Sequence, residues 1–533
     1  MMSYSFIIST AVYLYLTISH WNKYGAAEDA LILFIYSRNL GNGLGITYNP
    51  TIGPVEGATA FGWMVYLGLG PILNVDILGL ARVGSILFGI VIIWLISRWA
   101  YINGETTLSV LLPPLVVAVT YLPEHTLTGF STVVFGGVYL ITSFAALYLL
   151  KHPDSKRFQV IFIFSGVLFG IIRPEGAILT FSLIAGILFF SRKFRLSMIL
   201  VLGTGIPFSV YHISRYLYFG YVFPNPFYIK SEGVAVVSNT YNAVSAFAMG
   251  NILLLILAAV GALALIDNHY SKIKEVSIFG IPVIAHFAIY SFITQAQNVD
   301  YRFQFIYIIF AAILLPFGIN ELYNIIQRVD IPARKTIQIG KIGVAFIIIV
   351  GLVFQPILGL GSVGFGSDPT NQEKEIGKLL SEYEDKNYTM IVNQAGAMPY
   401  YSGWSSIDAG GLNDPYIAHN SLDTSYIRHH DPDIIMFHAG SSATPLPPSC
   451  TTEGWDLGQG RVSERTAPTL HQYAVNNDYE LGAIIRRGNS YDWYFVKNSN
   501  PYSNEIIGDM RSLSNEDYVE YNYNEYPQQF SCA

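Results

Sequence analysis

Apolar runs of roughly 16–22 residues recur along this chain from Ser5 to about Gly361, each close to the ~20 residues that carry a helix across a bilayer. A chain built this way must pair its backbone groups inside helices, because hydrocarbon offers them no partner. Composition agrees: 13% of the 533 residues are charged, where a soluble protein carries about 25%. The first run, 4–19, has neither a basic leader nor a small-residue cleavage site, so it reads as a retained span.

Eleven spans are predicted, at about 4–19, 80–102, 107–122, 131–150, 158–172, 175–191, 197–214, 244–265, 277–293, 303–323 and 342–361. With the N-terminus cytoplasmic, the cytoplasmic loops and span ends hold 13 basic residues and those of the opposite side 7. The positive-inside bias sets that orientation and puts the C-terminal segment outside. Net charge divides at the last span, with +6 on residues 1–362 and −13 on residues 363–533. The sign of the second part argues against nucleic acid or anionic lipid held by a general basic surface. Cys450 and Cys532 both fall there; they suit either a disulfide in an oxidising compartment or two free thiols.

The predicted fold class is mainly α: a polytopic transmembrane helical bundle of about 11 spans with a C-terminal extracytoplasmic small α/β domain. The expected division is a membrane domain, 1–362, and an extracytoplasmic domain, 363–533. The first outer loop, 20–79, is too long for a turn. Helical spacing predicts an interfacial helix over 28–40, then the turn-rich Gly41-Asn42-Gly43-Leu44-Gly45 and a second helix over 58–69. In the C-terminal domain, 388–393 and 433–438 read as buried strands, 483–487 with 493–497 as a hairpin, and 374–384 as a helix. The polar tail from about Ser503 reads as loosely ordered.

Ionisable groups gather at span ends on the outer side. Such groups are costly beside hydrocarbon, so a one-sided cluster marks a candidate site. Glu28-Asp29 supplies either a general base with an orienting partner or a charge pair suited to a helix N-terminus. Arg173-Pro174-Glu175-Gly176 offers a cation and a carboxylate, or a structural ion pair. Arg215-Tyr216-Leu217-Tyr218-Phe219-Gly220 and Pro224-Asn225-Pro226-Phe227-Tyr228-Ile229-Lys230 place two cations among aromatic rings. That pattern fits a phosphate and a lipid neck, or an aromatic belt with basic anchors. Asp300-Tyr301-Arg302-Phe303 opens the tenth span on the same side, and His125 reads as an interfacial histidine.

Taken in order, AAEDALILFIYSRNLGNGLGITYNP with PVEGATAFGW, then RPEG, RYLYFGYVFPNPFYIK, DYRF and AGAMPYYSGWSSIDAGGLNDPYIA, the chain resembles the C-type (GT-C) membrane glycosyltransferases. It is nearest the arabinofuranosyltransferase/mannosyltransferase-like branch. The resemblance covers about residues 20–440. It implies an inverting transfer from a polyprenyl-phosphate sugar donor to a glycan, glycolipid or glycoprotein acceptor at the exoplasmic face. It also implies Glu28 or Asp29 as base; beside that, the outer-side cations Arg173, Arg215, Lys230 and Arg302 are read as candidates for the donor phosphate. Arg38, Glu56, Glu175, Asn225 and Asp300 are the further substrate-binding candidates. The chain departs from the pattern twice. Glu28 stands where the family often has Asp, and Gly129-Phe130-Ser131-Thr132 lacks the carboxylate of a Gly-Leu-Glu-Thr type segment.

No cofactor is expected; the resemblance admits enzymes with and without a divalent cation, and with no clear ligand cluster in the sequence none is expected here. The expected partners are the lipid-linked donor, a glycan or lipid acceptor and membrane lipids, with no nucleic acid. The alternative is a transporter or flippase of a lipid-linked or anionic substrate. Such folds often carry internal repeats and mid-span binding groups, and neither is evident here.

Overall fold

The computed structural model describes residues 1–230, 244–267, 272–291, 298, 301–328, 371–439, 461–487 and 490–513. Ten of the eleven expected spans coincide with helices. Among the described residues six helices are long and apolar enough to cross a membrane: Met2–Ser19, Ile77–Asn103, Thr132–Lys151, Phe194–Phe219, Ile273–Tyr290 and Phe305–Gln327. The stretch expected as one span over 244–265 is instead two helices, Val244–Gly250 and Ile252–Asp267, bent by 88°. Asn251 sits at the break and donates to the Phe247 carbonyl at 2.9 Å and to Tyr121 Oη at 3.3 Å. The predicted span at 107–122 is also shorter than expected. Its helix Thr107–Val119 rises only about 20 Å at ~1.5 Å per residue. It stops where Tyr121 takes a left-handed φ of 51°, and Leu122–Leu127 continues as a separate helix. The eleventh span, 342–361, lies outside the described residues, as do Cys450 and Cys532.

Bundle packing relies on shape and a few polar ties. The helices Ile252–Asp267 and Phe305–Arg328 meet through reciprocal glycines: a Cβ on Gly261 would strike the Leu314 carbonyl, and one on Gly318 that of Leu257. Small residues at such a crossing let two backbones approach, which is how helices associate without a hydrophobic drive between them. Buried Trp99 donates to the Ile313 carbonyl at 2.8 Å, and Tyr139 to that of Phe279 at 2.7 Å.

The first long loop carries the helices Glu28–Gly41, Phe61–Leu67 and Leu69–Leu73, close to the predicted pair. The C-terminal domain is a five-stranded mixed sheet in the order β2-β1-β3-β5-β4. Strands β1 (Thr389–Val392), β2 (Ser405–Asp408) and β3 (Ile434–Ala439) run parallel, and β4 (Tyr479–Arg487) with β5 (Ser490–Lys497) forms the predicted hairpin. Strand β2 was not anticipated, because Ser405-Ser406-Ile407-Asp408 has one apolar side chain. The tail expected to be loose from about Ser503 begins instead with the helix Ser503–Ser512, which buries Ile506, Ile507 and Met510. An apolar period hidden among polar residues holds it down.

The loops that follow β1 and β2 dock onto the first long loop of the membrane domain. Tyr48 donates to the Ala395 carbonyl at 2.7 Å, and Asn49 to that of Ser406 at 3.1 Å. Arg38 donates to the Tyr400 carbonyl at 2.9 Å, and Tyr36 to Asn413 Oδ1 at 3.0 Å. Asp408 shapes the β2 loop by accepting from Gly410 N at 2.8 Å, Asn413 N at 2.9 Å and Asn413 Nδ2 at 2.8 Å.

Full burial pushes the Asp408 carboxyl up to about 6, against the pull of those three donors. A carboxyl whose folded value is raised adds stability that is complete below its unfolded value of about 3.9 and lost as pH rises through the folded one. The shift corresponds to about 3 kcal/mol at most. Unfolding of the wild type is therefore expected to become easier from pH 4 to pH 7. Thermal melts of Asp408→Asn across that window should lose this slope; an unchanged slope would assign the dependence to other groups.

Candidate active site at the seam between membrane helices and C-terminal domain

Glu28 and Asp29 begin a helix, and their side chains diverge because successive helical residues project about 100° apart. Glu28 faces the C-terminal domain. Its carboxylate accepts from Gly396 N at 2.6 Å and Ala397 N at 2.9 Å, at the start of the helix Ala397–Ser402. A Cβ on Gly396 would collide with that carboxylate. Asp29 faces the membrane helices. Its Oδ2 accepts from an Arg302 terminal nitrogen at 3.1 Å, and its side chain is 23% exposed. Of the two carboxylates, Glu28 is engaged in docking and Asp29 opens on the bundle.

Around Asp29 the structure gathers part of the predicted set. The Arg302 guanidinium lies 3.9 Å from the ring centroid of Phe130 and 5.0 Å from that of Phe303. Arg173 lies 5.1 Å from the same Phe303 ring and 5.4 Å from Phe135. Two guanidiniums thus lie against one aromatic ring, which holds cations without neutralising them. Arg173 donates to Glu175 Oε1 at 2.6 Å and to Tyr290 Oη at 2.6 Å, and Tyr290 donates to Glu175 Oε1 at 2.7 Å. Arg302 Nε is buried and meets no acceptor among the described residues. That leaves a fixed N–H for an incoming anion.

The remaining predicted residues lie elsewhere. Arg215 donates to Glu56 Oε1 at 2.6 Å and to the Val222 carbonyl at 2.6 Å, and its other terminal nitrogen pairs with Glu56 Oε2. Burial pushes the Glu56 carboxyl up, while Arg215 opposes that shift. Asn225 joins the same corner, its backbone N donating to the Glu56 carbonyl at 3.0 Å and its side chain to that of Gly411 at 3.4 Å. Among the described residues no hydrogen bond or ion pair links this corner to the Asp29 cluster. Arg38 belongs to the docking seam, over the Tyr400 ring at 5.3 Å. The Lys230 side chain and Asp300 lie outside the described residues.

Sequence reasoning missed Tyr290, Phe130 and Phe135. A tyrosine closing an apolar span is a weak signal, but a hydroxyl buried there needs a partner. Phe130 lies in the very segment noted for its missing carboxylate; in its place a ring backs Arg302. His125, expected at the interface, is buried, stacked on Tyr121 and edge-on to Phe305 at 5.3 Å.

A sequence-family model described as a domain of unknown function (DUF8728) matches residues 367–496. No curated protein matches the chain. Among solved structures, ArnT from Cupriavidus metallidurans bound to undecaprenyl phosphate is similar over 93% of this chain and 98% of its own, at 12% identity and a TM-score of 0.58. The archaeal oligosaccharyltransferase AglB from Archaeoglobus fulgidus, in complex with an inhibitory peptide and a dolichol-phosphate, is similar over 94% of this chain and 74% of its own, at 11% identity and a TM-score of 0.55. The helical bundle, the long first loop and the docked C-terminal domain together give this chain the fold of those two structures, the fold expected from the GT-C resemblance.

Proposed function

We propose that the chain is an integral membrane glycosyltransferase that moves a sugar from a polyprenyl-phosphate donor to a glycan, glycolipid or glycoprotein acceptor at the exoplasmic face, with inversion. The observation that carries this reading is the Asp29–Arg302 pair, set within a fold shared with proteins solved on undecaprenyl phosphate and dolichol-phosphate. Cations beside one available carboxylate suit a reaction in which a hydroxyl loses a proton while a phosphate gains charge.

In this reading Asp29 takes the proton from the acceptor hydroxyl as that oxygen bonds to the anomeric carbon. The bond from that carbon to the donor phosphate oxygen breaks, and its electron pair leaves on the polyprenyl phosphate. Arg302, through its buried Nε, and Arg173 stabilise the developing charge; groups preset for that charge need no reorganisation during reaction. The proton on Asp29 then passes to solvent. Glu175 and Tyr290 hold Arg173 in place, and the Arg215–Glu56 pair braces the first loop. These assignments use no metal.

Turnover and donor binding, measured separately on purified protein with a panel of polyprenyl-phosphate sugars, test the assignment. Asp29→Asn is expected to lower kcat by about 10²–10⁴-fold with donor affinity nearly intact, because a base acts in the transition state. Arg302→Ala should weaken donor binding and turnover together. Glu28→Ala should instead lower stability by about 1.5–3 kcal/mol, the worth of hydrogen bonds to a charged group. Normal turnover by Asp29→Asn would remove the first loop from the chemistry.

Orientation is read from the loop charges and is tested in a background with both cysteines replaced by serine. Exposed Ser421→Cys should react with an impermeant maleimide in intact cells, while exposed Asp154→Cys should not. The opposite pattern would place the seam on the cytoplasmic side.

A further inference from the structure

The C-terminal edge of the parallel strands carries a second polar constellation that the transfer mechanism above does not use. His438, near the end of β3, is the cross-strand neighbour of Asp492 on β5. His438 Nδ1 lies 2.6 Å from Asp492 Oδ1. The Asp492 side chain is 0% exposed and, among the described residues, its Oδ2 has no hydrogen-bond partner; the His438 side chain is 25% exposed. A fully buried carboxylate set against a single imidazole is an expensive way to join two strands, since an apolar pair would do so without desolvating a charge. The arrangement does fix one thing: with Asp492 accepting from Nδ1–H, Nε2 of the neutral ring becomes a hydrogen-bond acceptor. Among the described residues that Nε2 has no hydrogen-bond partner.

Placement gives the pair a use. Side chains alternate along a strand, so His438 continues the row of Ile434 and Met436. That row shares its hydrophobic cluster with Ala397 and Met398, on the helix whose start is held by Glu28, whereas Ile435 and Phe437 belong to the other cluster. His438 N also donates to Asn393 Oδ1 at 2.7 Å, and Asn393 precedes Gly396 by three residues, at most about 11 Å of chain. His438 is therefore at the end of the sheet that docks on the membrane domain, beside the loop that grips Glu28. In parallel sheets ligands meet the protein at this edge, beyond the carboxyl ends of the strands.

We infer that His438, oriented by Asp492, is an acceptor-binding residue, its Nε2 accepting a hydrogen bond from a hydroxyl of the sugar that receives the transferred unit. The inference rests on the transferase reading for its meaning, though not for its test. It gives the C-terminal domain a direct part in selecting the acceptor, as distinct from the donor. Asp492 acts as a positioning residue. Asp492→Asn would present an amide N–H to Nδ1 and turn Nε2 into a donor, reversing the bond offered to the acceptor.

The full-length protein is treated with diethyl pyrocarbonate alone and with a panel of octyl mono- and disaccharide glycosides, and each histidine is followed by mass spectrometry. At least one glycoside is expected to slow modification of His438 about fivefold or more, with exposed His429 as the unprotected reference. For a glycoside that is also glycosylated, His438→Phe should raise its KM about tenfold, near the worth of one hydrogen bond, with kcat and donor KM within about twofold. His438→Gln, which returns an amide to the Nε2 position, should recover most of that loss. A purely structural pair would lower the melting temperature of these variants and leave the acceptor KM alone, and that result overturns the inference. If wild type glycosylates nothing in the panel, the transferase reading fails by itself. Protection of His438 by the same glycosides would still support a hydroxyl-binding site, and its absence would end that proposal too.

Discussion

Two backbone N–H groups held by one carboxylate tie this molecule together. Glu28 begins a helix in the first long loop and accepts from Gly396 and Ala397 in the C-terminal domain. The bond fixes the pitch of the first loop, and with it the direction in which the next residue, Asp29, projects. It also holds the β1 loop and the helix behind it against the bundle. Neighbouring carboxylates that would otherwise repel are thereby given separate counterparts: peptide N–H groups for one, a guanidinium for the other. Within a single helical turn the Glu28-Asp29 dipeptide is thus split between two partners.

The bundle was legible because its signal is long and repeated. Hydrocarbon tolerates few alternatives to an apolar helix, so run length alone located ten of the helices, within a few residues at most ends. The bend at Asn251 was not legible, because an amide in an apolar run has several ways to satisfy itself, and here it reaches Tyr121 from a distant helix. The buried strands β1 and β3 showed as apolar clusters. Strand β2 did not, since its burial comes from a neighbour and not from its own side chains.

The site was legible as a set of residue types and not as a set of partners. Sequence named Asp29, Arg302, Arg173 and Glu175, and the structure draws those four together around Phe303. It also named Arg215 and Glu56 with the same logic, and the structure uses them on each other. Nothing local separates a guanidinium that packs on Phe303 beside Asp29 from one that meets a glutamate 159 residues away. The difference lies in which long-range contacts form, and those depend on how the C-terminal domain presses the first loop onto the helices.

Strand β2 carries a consequence for how the parts of this protein came to be joined. It is the edge of its sheet, and an uncovered edge is a template for foreign strands. Asn49 of the membrane domain covers that edge, donating to the Ser406 carbonyl and accepting from the Ser405 hydroxyl at 2.8 Å. Cut free from the helices, the C-terminal domain would expose that edge together with the loop face now matched to Tyr36 and Tyr48. It would be sticky and prone to self-association as an isolated fragment. The boundary recognised by sequence comparison thus leaves outside it the loop that covers this edge, and exchanging this domain between proteins would call for exchanging that loop with it.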